Sequence, residues 1–311
     1  MNKFSSYTNL LFLLAGLSLT VQATEPLPTH PAKHLFDIGG VNKNILSMPS
    51  DVAVDKQRIY IVDSGHQQIS VFDKDGDHIL NFGREGIEDG QFRNPVGIDV
   101  DTKGRIYVAD TGNHRIQIFD PEGKHLASIV TADKKNQLVR PIDVAVDEHA
   151  QLLYVTGNNN HKLMTYNYPG YVLDEWGGDG VDEGYFRYPG TLAMLKDGRI
   201  AVVDILNTRI QVFTKKGKVS LQVGDWGVYP GHLFRPKGIA IDKKGRFYIS
   251  DSYMNLVQVF SDGGRFKFVL GRNNKATRLK TASGIAIDDD MRLYVAEMLG
   301  HKVSVYEVAP F

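Results

Sequence analysis

The sequence has no cysteine among its 311 residues, and it has neither a Gly-x-Ser-x-Gly elbow nor a Gly-rich phosphate loop of the Walker type. These absences remove the common bases of nucleophilic catalysis and of nucleotide binding. The sequence also has no surplus of either charge, because 36 Lys and Arg residues balance 36 Asp and Glu residues. Nucleic-acid-binding proteins normally carry a clustered basic surplus, so we expect no nucleic-acid partner.

A long apolar run, "LLFLLAGLSLTV" (10–21), lies near the N-terminus. Lys3 precedes it and "VQA" (21–23) supplies small residues before a cut, so residues 1–23 are predicted to be a signal peptide. The run is too short to span a membrane comfortably. We therefore expect a periplasmic or secreted protein with no membrane span after cleavage. Residues 24–33 contain three prolines and are predicted to form an extended lead-in.

The rest of the chain repeats one pattern six times. Copies such as "VADTGNHRIQIF" (108–119) and "VVDILNTRIQVF" (202–213) are each preceded by a phrase of the type "NPVGIDVD" (94–101). The Pro of that phrase, replaced by Ala in the last copy, falls at positions 49, 95, 141, 189, 236 and 282. Spacings of 46 to 48 residues are typical of propeller blades or of two-helix repeats.

The residue types within each copy favour strands. Runs such as "RIYVAD" (105–110) and "RIQIF" (115–119) alternate with a period of two and are rich in β-branched and aromatic residues. Turn-forming stretches such as "DTKG" (101–104) and "DPEG" (120–123) separate them. We therefore predict an all-β fold, a six-bladed β-propeller of four-stranded antiparallel blades.

The chain ends predict how the ring closes. Five copies are followed by a further strand, but the sixth ends at "VSVYEVAPF" (303–311), and an unmatched strand, "HLFDIGG" (34–40), precedes the first copy. We predict that this N-terminal strand pairs into the last blade, so that no sheet edge stays open. Residues 34–311 would then form a single propeller domain.

At this level of detail the repeats resemble a known family. The stretch "NPVGIDVDTKGRIYVADTGNHRIQIF" (94–119) is similar to an NHL repeat, and the resemblance, to the exported bacterial type, covers about residues 34–306. It implies a six-bladed propeller, in agreement with the periodicity. It also places Asn113 and His114 in the turn between the second and third strands of a blade. We interpret His114, His161 and His301 there as structural residues.

The family resemblance extends to peptide-amidating lyases, whose zinc-binding histidines are expected one or four positions after the blade Pro. None of those positions holds His here, although a catalytic zinc site requires about three converging protein ligands. A calcium-dependent lactonase is the other enzyme class considered. Asp51, Asp99 and Asp143 could ring one mouth of the channel and hold Ca²⁺ or another divalent metal, or they could be solvated polar lining.

Long loops lead into the inner strands of blades two to five, and we expect them to share one face with the turns after the second strands. Arg suits capture of carboxylates, and Arg with Tyr and Trp is typical of binding surfaces. The alternative is that each Arg pairs with the loop acids Glu88, Asp89, Asp182 and Glu183, while Phe92, Phe186 and Phe234 wedge between blades. The predicted binding-surface residues are Arg93, Arg140, Arg187, Arg235, Tyr185, Tyr188, Trp226 and Tyr229.

Taken together, these patterns predict an exported, non-catalytic binding propeller. We expect it to engage a protein, peptide or glycan of the cell envelope through the loop-rich face, and we expect no cofactor. The alternative is a metal-dependent lyase or hydrolase, similar to peptide-amidating lyases or to lactonases, with its site at the channel mouth. Fold resemblance alone does not choose between them.

Overall fold

The structure is a computed structural model that describes residues 26–41 and 45–311. The predicted signal peptide, residues 1–23, lies outside the described residues. Within those ranges, no helix is both long enough and apolar enough to cross a membrane.

The repeats fold as six four-stranded antiparallel blades, as the periodicity predicts. Two strands precede the first blade, β1 (Thr29–His30) and β2 (Ala32–Gly39). Blades one to three contain β3 (Asp51–Val54), β4 (Arg58–Asp63), β5 (Gln68–Asp73), β6 (His78–Phe82), β7 (Pro95–Val100), β8 (Ile106–Asp110), β9 (Arg115–Phe119), β10 (His125–Val130), β11 (Pro141–Asp147), β12 (Leu152–Gly157), β13 (Lys162–Asn167) and β14 (Val172–Gly177). Blades four to six contain β15 (Pro189–Met194), β16 (Ile200–Asp204), β17 (Arg209–Phe213), β18 (Val219–Val223), β19 (Pro236–Ile241), β20 (Phe247–Asp251), β21 (Leu256–Phe260), β22 (Phe266–Arg272), β23 (Lys275–Ala276), β24 (Ala282–Ile287), β25 (Arg292–Glu297) and β26 (Lys302–Val308).

The N-terminal strand closes the ring. Strand β2 pairs antiparallel with β26 from Ala32 opposite Val308 to Gly39 opposite Lys302, and it supplies the outer strand of blade six. It begins two residues before the predicted strand 34–40. The short β1 adds in parallel to β22 of blade five, so the described part of the predicted lead-in is paired with the propeller.

The core lies between blades. Six clusters of buried apolar residues each combine residues from two neighbouring blades, one cluster for each junction. Phe92 and Phe186 are fully buried in such junctions, as expected for wedges. Phe234 is not a wedge, because Leu233 fills the junction one residue earlier and Phe234 is left half-buried.

Candidate binding face and central channel

The loops that lead into the inner strands (entering loops) and the turns between second and third strands meet on one side of the ring, which we call the loop face. The backbone N–H of Gly112, in a turn, donates to the carbonyl of Arg93, in an entering loop, at 2.7 Å. Gly65 donates to Ser47 in the same way at 2.8 Å. The remaining hairpin turns lie at the opposite ends of the strands, on what we call the hairpin face.

A buried carboxylate at the end of each of β8 and β16 fixes the entering loops of blades two and four. Asp110 accepts hydrogen bonds from the Arg93 backbone N–H at 2.7 Å and from Arg115 Nε at 2.8 Å. Asp204 accepts the equivalent pair from Arg187 and Arg209 at 2.8 and 2.9 Å. Because these carboxylates bond loop residues, they hold the loop-face scaffold in one geometry.

The turn histidines are structural. His114, His161 and His301 adopt left-handed backbone angles, with φ of 55°, 54° and 52°. The Nδ1 of His161 accepts from the backbone N–H of Tyr188 at 3.1 Å, and that of His301 from Met48 at 3.3 Å. His114 Nδ1 lies 3.1 Å from a carbonyl of the next entering loop. Each ring therefore ties a turn to the neighbouring blade, which agrees with the structural interpretation.

All four predicted arginines, Arg93, Arg140, Arg187 and Arg235, are exposed on the loop face. One of them, Arg187, forms a long ion pair, in which its Nε lies 3.9 Å from an Asp179 oxygen. No carboxylate in the described ranges pairs with the other three, so the loop acids do not neutralise them. The guanidinium groups are open to a partner.

The predicted aromatic residues are also exposed, and the structure adds two that the sequence interpretation missed. Trp226 and Tyr229 are 71% and 72% exposed. Phe234 stacks on Tyr253, with ring centroids 4.0 Å apart, and lies 6.5 Å from the Trp226 ring. Tyr185 and Tyr188 are exposed on blade four, and Tyr188 has a left-handed backbone, φ 63°, which is unusual for a bulky residue.

A pattern in the sequence indicates that the turns of blades four to six differ from those of blades one to three. The second residue of the turn after the second strand is Gly or Asn in blades one to three, but a large apolar residue in blades four to six. Those residues, Leu206, Tyr253 and Leu299, are all more than half exposed. Of 20 large apolar side chains exposed in the described ranges, 14 lie on entering loops or these turns. An apolar surface concentrated on one face indicates an interaction site.

The six inner strands line a central cavity of about 260 Å³. Asp51 and Asp143 lie two residues after the blade Pro, and Asp99 lies four residues after it. At about 3.3 Å per residue, Asp99 is therefore some 7 Å deeper in the channel. One residue further along four of the strands, apolar side chains also line the cavity: Val54, Met194, Ile241 and Ile287.

Each channel carboxylate binds the inner strand of the next blade. Asp51 accepts from the Ile98 backbone N–H at 3.1 Å, and Asp143 accepts from Leu192 at 2.9 Å. In the same way Asp99 accepts from the next blade's β11 at 2.9 Å. These carboxylates therefore link neighbouring blades as well as lining the cavity.

The environment of these carboxylates favours their protonated forms. Burial raises the pKa of Asp51 to about 7, and the nearby Asp99 charge adds to this. Burial raises the pKa of Asp99 to about 6, with a further contribution from the charge of Asp101. For Asp143, burial and then the charge of Asp51 raise the pKa well above its usual value.

The three carboxylates do not form one metal centre. Asp51 and Asp143 lie at one level, but Asp99 lies deeper, so the sequence-based set is separated along the channel. Across the described part of the chain, no group of three or more His, Asp or Glu residues could hold a metal ion. The residues present do not fit the three-ligand site of a catalytic metal.

Family models match three stretches of the chain: the NHL repeat matches residues 46–72 and 92–119, and a 6-bladed β-propeller model matches residues 181–261. No curated protein matches the sequence. Among solved structures, a streptogramin B lyase is 13% identical, covering 89% of this chain and 98% of its own, with a TM-score of 0.65.

Two further structures are similar. For a virginiamycin B lyase from Staphylococcus aureus, identity is 14%, coverage is 88% of this chain and 99% of the other, and the TM-score is 0.62. A gluconolactonase from Xanthomonas campestris is 15% identical, and the match covers 91% of this chain and 97% of the other, with a TM-score of 0.65. At such low identity the similarity shows a shared fold and no more.

Proposed function

Because the chain is a six-bladed β-propeller that contains NHL repeats, we propose that it is a non-catalytic binding module that holds a protein, peptide or glycan partner on its loop face. The observation that carries this proposal is the coincidence, on that face, of exposed arginines and exposed aromatic rings. Arg, Tyr and Trp dominate the energetics of interfaces when a partner buries them.

The loop-face scaffold also supports binding, because it is held before a partner arrives. Arg115 donates to the carbonyls of Glu88 and Gln91 at 2.7 and 2.9 Å, and Arg209 makes the same pair of bonds in blade four. A loop that is already ordered loses less conformational freedom on association. The exposed side chains are therefore presented on a fixed frame.

We also propose that the protein works in the periplasm or outside the cell. The support is the sequence pattern of residues 1–23, a positive residue, an apolar stretch and small residues before a cut. A partner in the cell envelope follows from this location.

Substitution of the central arginines tests the proposal. We expect Arg140→Ala combined with Arg187→Ala to reduce capture of the partner from an envelope extract by about ten-fold or more, with an unchanged melting temperature. The matched control removes two exposed cations from the hairpin face, Lys216→Ala with Arg265→Ala, and should retain capture. Equal capture by both double variants would contradict a role for Arg140 and Arg187 in holding the partner.

A second candidate, a metal-dependent lyase or hydrolase, has one observation against it, the lack of a three-ligand metal site among the described residues, and one observation in its favour. The channel presents carboxyl groups whose pKa values of about 7 (Asp51) and about 6 (Asp99) suit general acid–base catalysis near neutrality. Their bonds to neighbouring strands give them a structural role as well. Elemental analysis of the purified protein, followed by titration with Ca²⁺ and Zn²⁺, tests this candidate. A metal-free protein with no titratable site would remove it.

A further inference from the structure

The entering loop of blade six differs from the others in its charge. Residues 272–280 contain four basic side chains and no acid, whereas the entering loop of blade four, 177–188, contains three acids and one Arg. The four basic residues are all exposed, and no carboxylate of the described chain forms an ion pair with any of them. They are Arg272, Lys275, Arg278 and Lys280.

This cationic loop adjoins the aromatic residues of blade five. Arg278 donates from its guanidinium to the carbonyl of Met254 at 2.8 Å, so it lies beside the turn that carries Tyr253. The Leu279 backbone N–H donates to the carbonyl of Asn255, in the same turn, at 3.0 Å. The loop and the turn therefore form one continuous surface.

We call this surface the cationic aromatic platform and define it by six residues. Its aromatic part is the stacked pair Phe234 and Tyr253, with Trp226 beside Phe234. Its cations come from two successive blades. The members are Trp226, Phe234, Arg235, Tyr253, Arg278 and Lys280.

Positive charge is crowded at this place. Burial lowers the pKa of Lys237, which follows Arg235 by two residues, and the Arg235 charge lowers it further. An anionic ligand would relieve that repulsion. The net charge of the whole chain is zero, so the platform is a local excess that the composition conceals.

The shape of the platform favours a sugar over a peptide. Peptide recognition generally uses a sheet edge or a groove with pockets for side chains. No platform residue lines any of the five main cavities of the described chain. The exposed rings of Trp226 and Tyr253 instead match the C–H faces of pyranose rings, and Arg pairs with carboxylates through two parallel hydrogen bonds.

We propose that the cationic aromatic platform binds an anionic polysaccharide of the uronic acid class. Aromatic rings stack on the sugar faces, and Arg235, Arg278 and Lys280 pair with the carboxylates. The inference rests on the proposed function, because it assigns a partner class to the same loop face. It adds a location, blades five and six, that the predicted arginine set covers only in part.

Calorimetric titration with a short oligogalacturonate tests the inference. A neutral glucan of equal length and a poly-glutamate peptide serve as comparison ligands. We expect the uronate to bind, the neutral glucan to bind at least about ten-fold more weakly, and the uronate affinity to fall when NaCl is raised from about 50 to about 300 mM. Binding of poly-glutamate as tight as that of the uronate would replace the glycan by an acidic peptide and overturn the proposal.

Variants separate the two parts of the platform. Arg235→Ala with Lys280→Ala removes two side chains that make no hydrogen bond within the described chain, so the fold should be unchanged, and the uronate affinity should fall by about ten-fold or more. Tyr253→Ala should weaken uronate binding without changing its salt dependence. Lys216→Ala with Arg265→Ala on the hairpin face should change neither the uronate affinity nor its salt dependence.

Failure of the uronate inference can be distinguished from failure of the proposed function, because the two experiments use different variants and different ligands. If no uronate binds, or if the platform variants bind it as well as the native chain, the inference fails. Loss of capture on substitution of Arg140 and Arg187 would still support a partner on the loop face. If capture is insensitive to those residues and uronate binds through the platform, the arginine assignment fails and the platform stands.

Discussion

Removal of the Asp110 carboxylate should destabilise the fold far more than removal of a carboxylate from a hairpin turn. Asp110 is fully buried and accepts four hydrogen bonds. The donors are the Arg93 backbone N–H at 2.7 Å, Asn113 Nδ2 at 2.8 Å, Arg115 Nε at 2.8 Å and Gln117 Nε2 at 3.1 Å. Asp110→Ala leaves all four without this acceptor.

The magnitude follows from the charge left behind. The Arg115 side chain is only 10% exposed, and its other carboxylate contact, Asp89 at 3.3 Å, is 64% exposed and therefore well screened. Breaking a buried pair by removing one partner destabilises a protein by about 3–5 kcal/mol. At ~2 °C per kcal/mol for a domain of this size, the melting temperature should fall by about 6–10 °C.

Chemical denaturation in urea provides the measurement. Asp204→Ala removes the same network from blade four and should show the same loss. Asp120→Ala is the matched control, because Asp120 lies in a hairpin turn and bonds only the turn N–H groups of Glu122 and Lys124. We expect it to lose about 1 kcal/mol or less. Equal losses for Asp110→Ala and Asp120→Ala would refute the view that the buried carboxylates hold the loop face.

Three further predictions concern the channel and the closure of the ring. Because the pKa of Asp51 is raised to about 7 in the folded chain, the folded state binds more protons than the unfolded state below that pH. The free energy of unfolding of the native chain should therefore rise relative to that of Asp51→Asn as pH falls from about 8 to about 5 in urea titrations; a constant difference would contradict this. Ile38→Ala, in the closing strand, should lose about 2–5 kcal/mol of stability in the same assay, whereas exposed Ile79→Ala should lose little. Gly284→Ala places a Cβ 1.8 Å from an Asp51 oxygen and should destabilise by ~3 kcal/mol, whereas open Gly263→Ala should be near neutral by thermal melting.

The architecture could be predicted from the sequence because the same pattern recurs in every copy of the repeat. Six copies separated by 46 to 48 residues fix the number of blades, and the unmatched strand 34–40 fixes how they close. Local pattern was enough there, since each blade repeats the same alternation. The strand pairing of β2 with β26 confirms that part of the interpretation.

The details of the loops could not be predicted, because contacts between blades determine them. The sequence gives no local reason why Leu233 rather than Phe234 enters the junction. The buried carboxylates Asp63, Asp110 and Asp204 accept bonds from backbone N–H groups of the entering loops. Asp251 also accepts bonds from backbone N–H groups of its own turn.

The two blades that contain a buried Arg at the start of the third strand, blades two and four, also have acids in their entering loops. Arg115 and Arg209, at the start of the third strands of blades two and four, pair with a buried Asp and also reach the entering loop. Those two loops carry acids, and Asp89 contacts Arg115 directly.

Blade five lacks that buried Arg, whereas blade six has Lys302 at the equivalent position, where it pairs with the buried Glu297 at 3.4 Å. The equivalent position in blade five is Leu256, and Asp251 is bonded there by the backbone N–H groups of Phe234, Arg235, Tyr253 and others, with no buried side-chain cation. The entering loop of blade six, residues 272–280, nevertheless carries only basic charged residues. Blades five and six thus form a cationic, aromatic sector on a molecule of zero net charge, and an anionic partner should dock on that sector rather than around the whole ring.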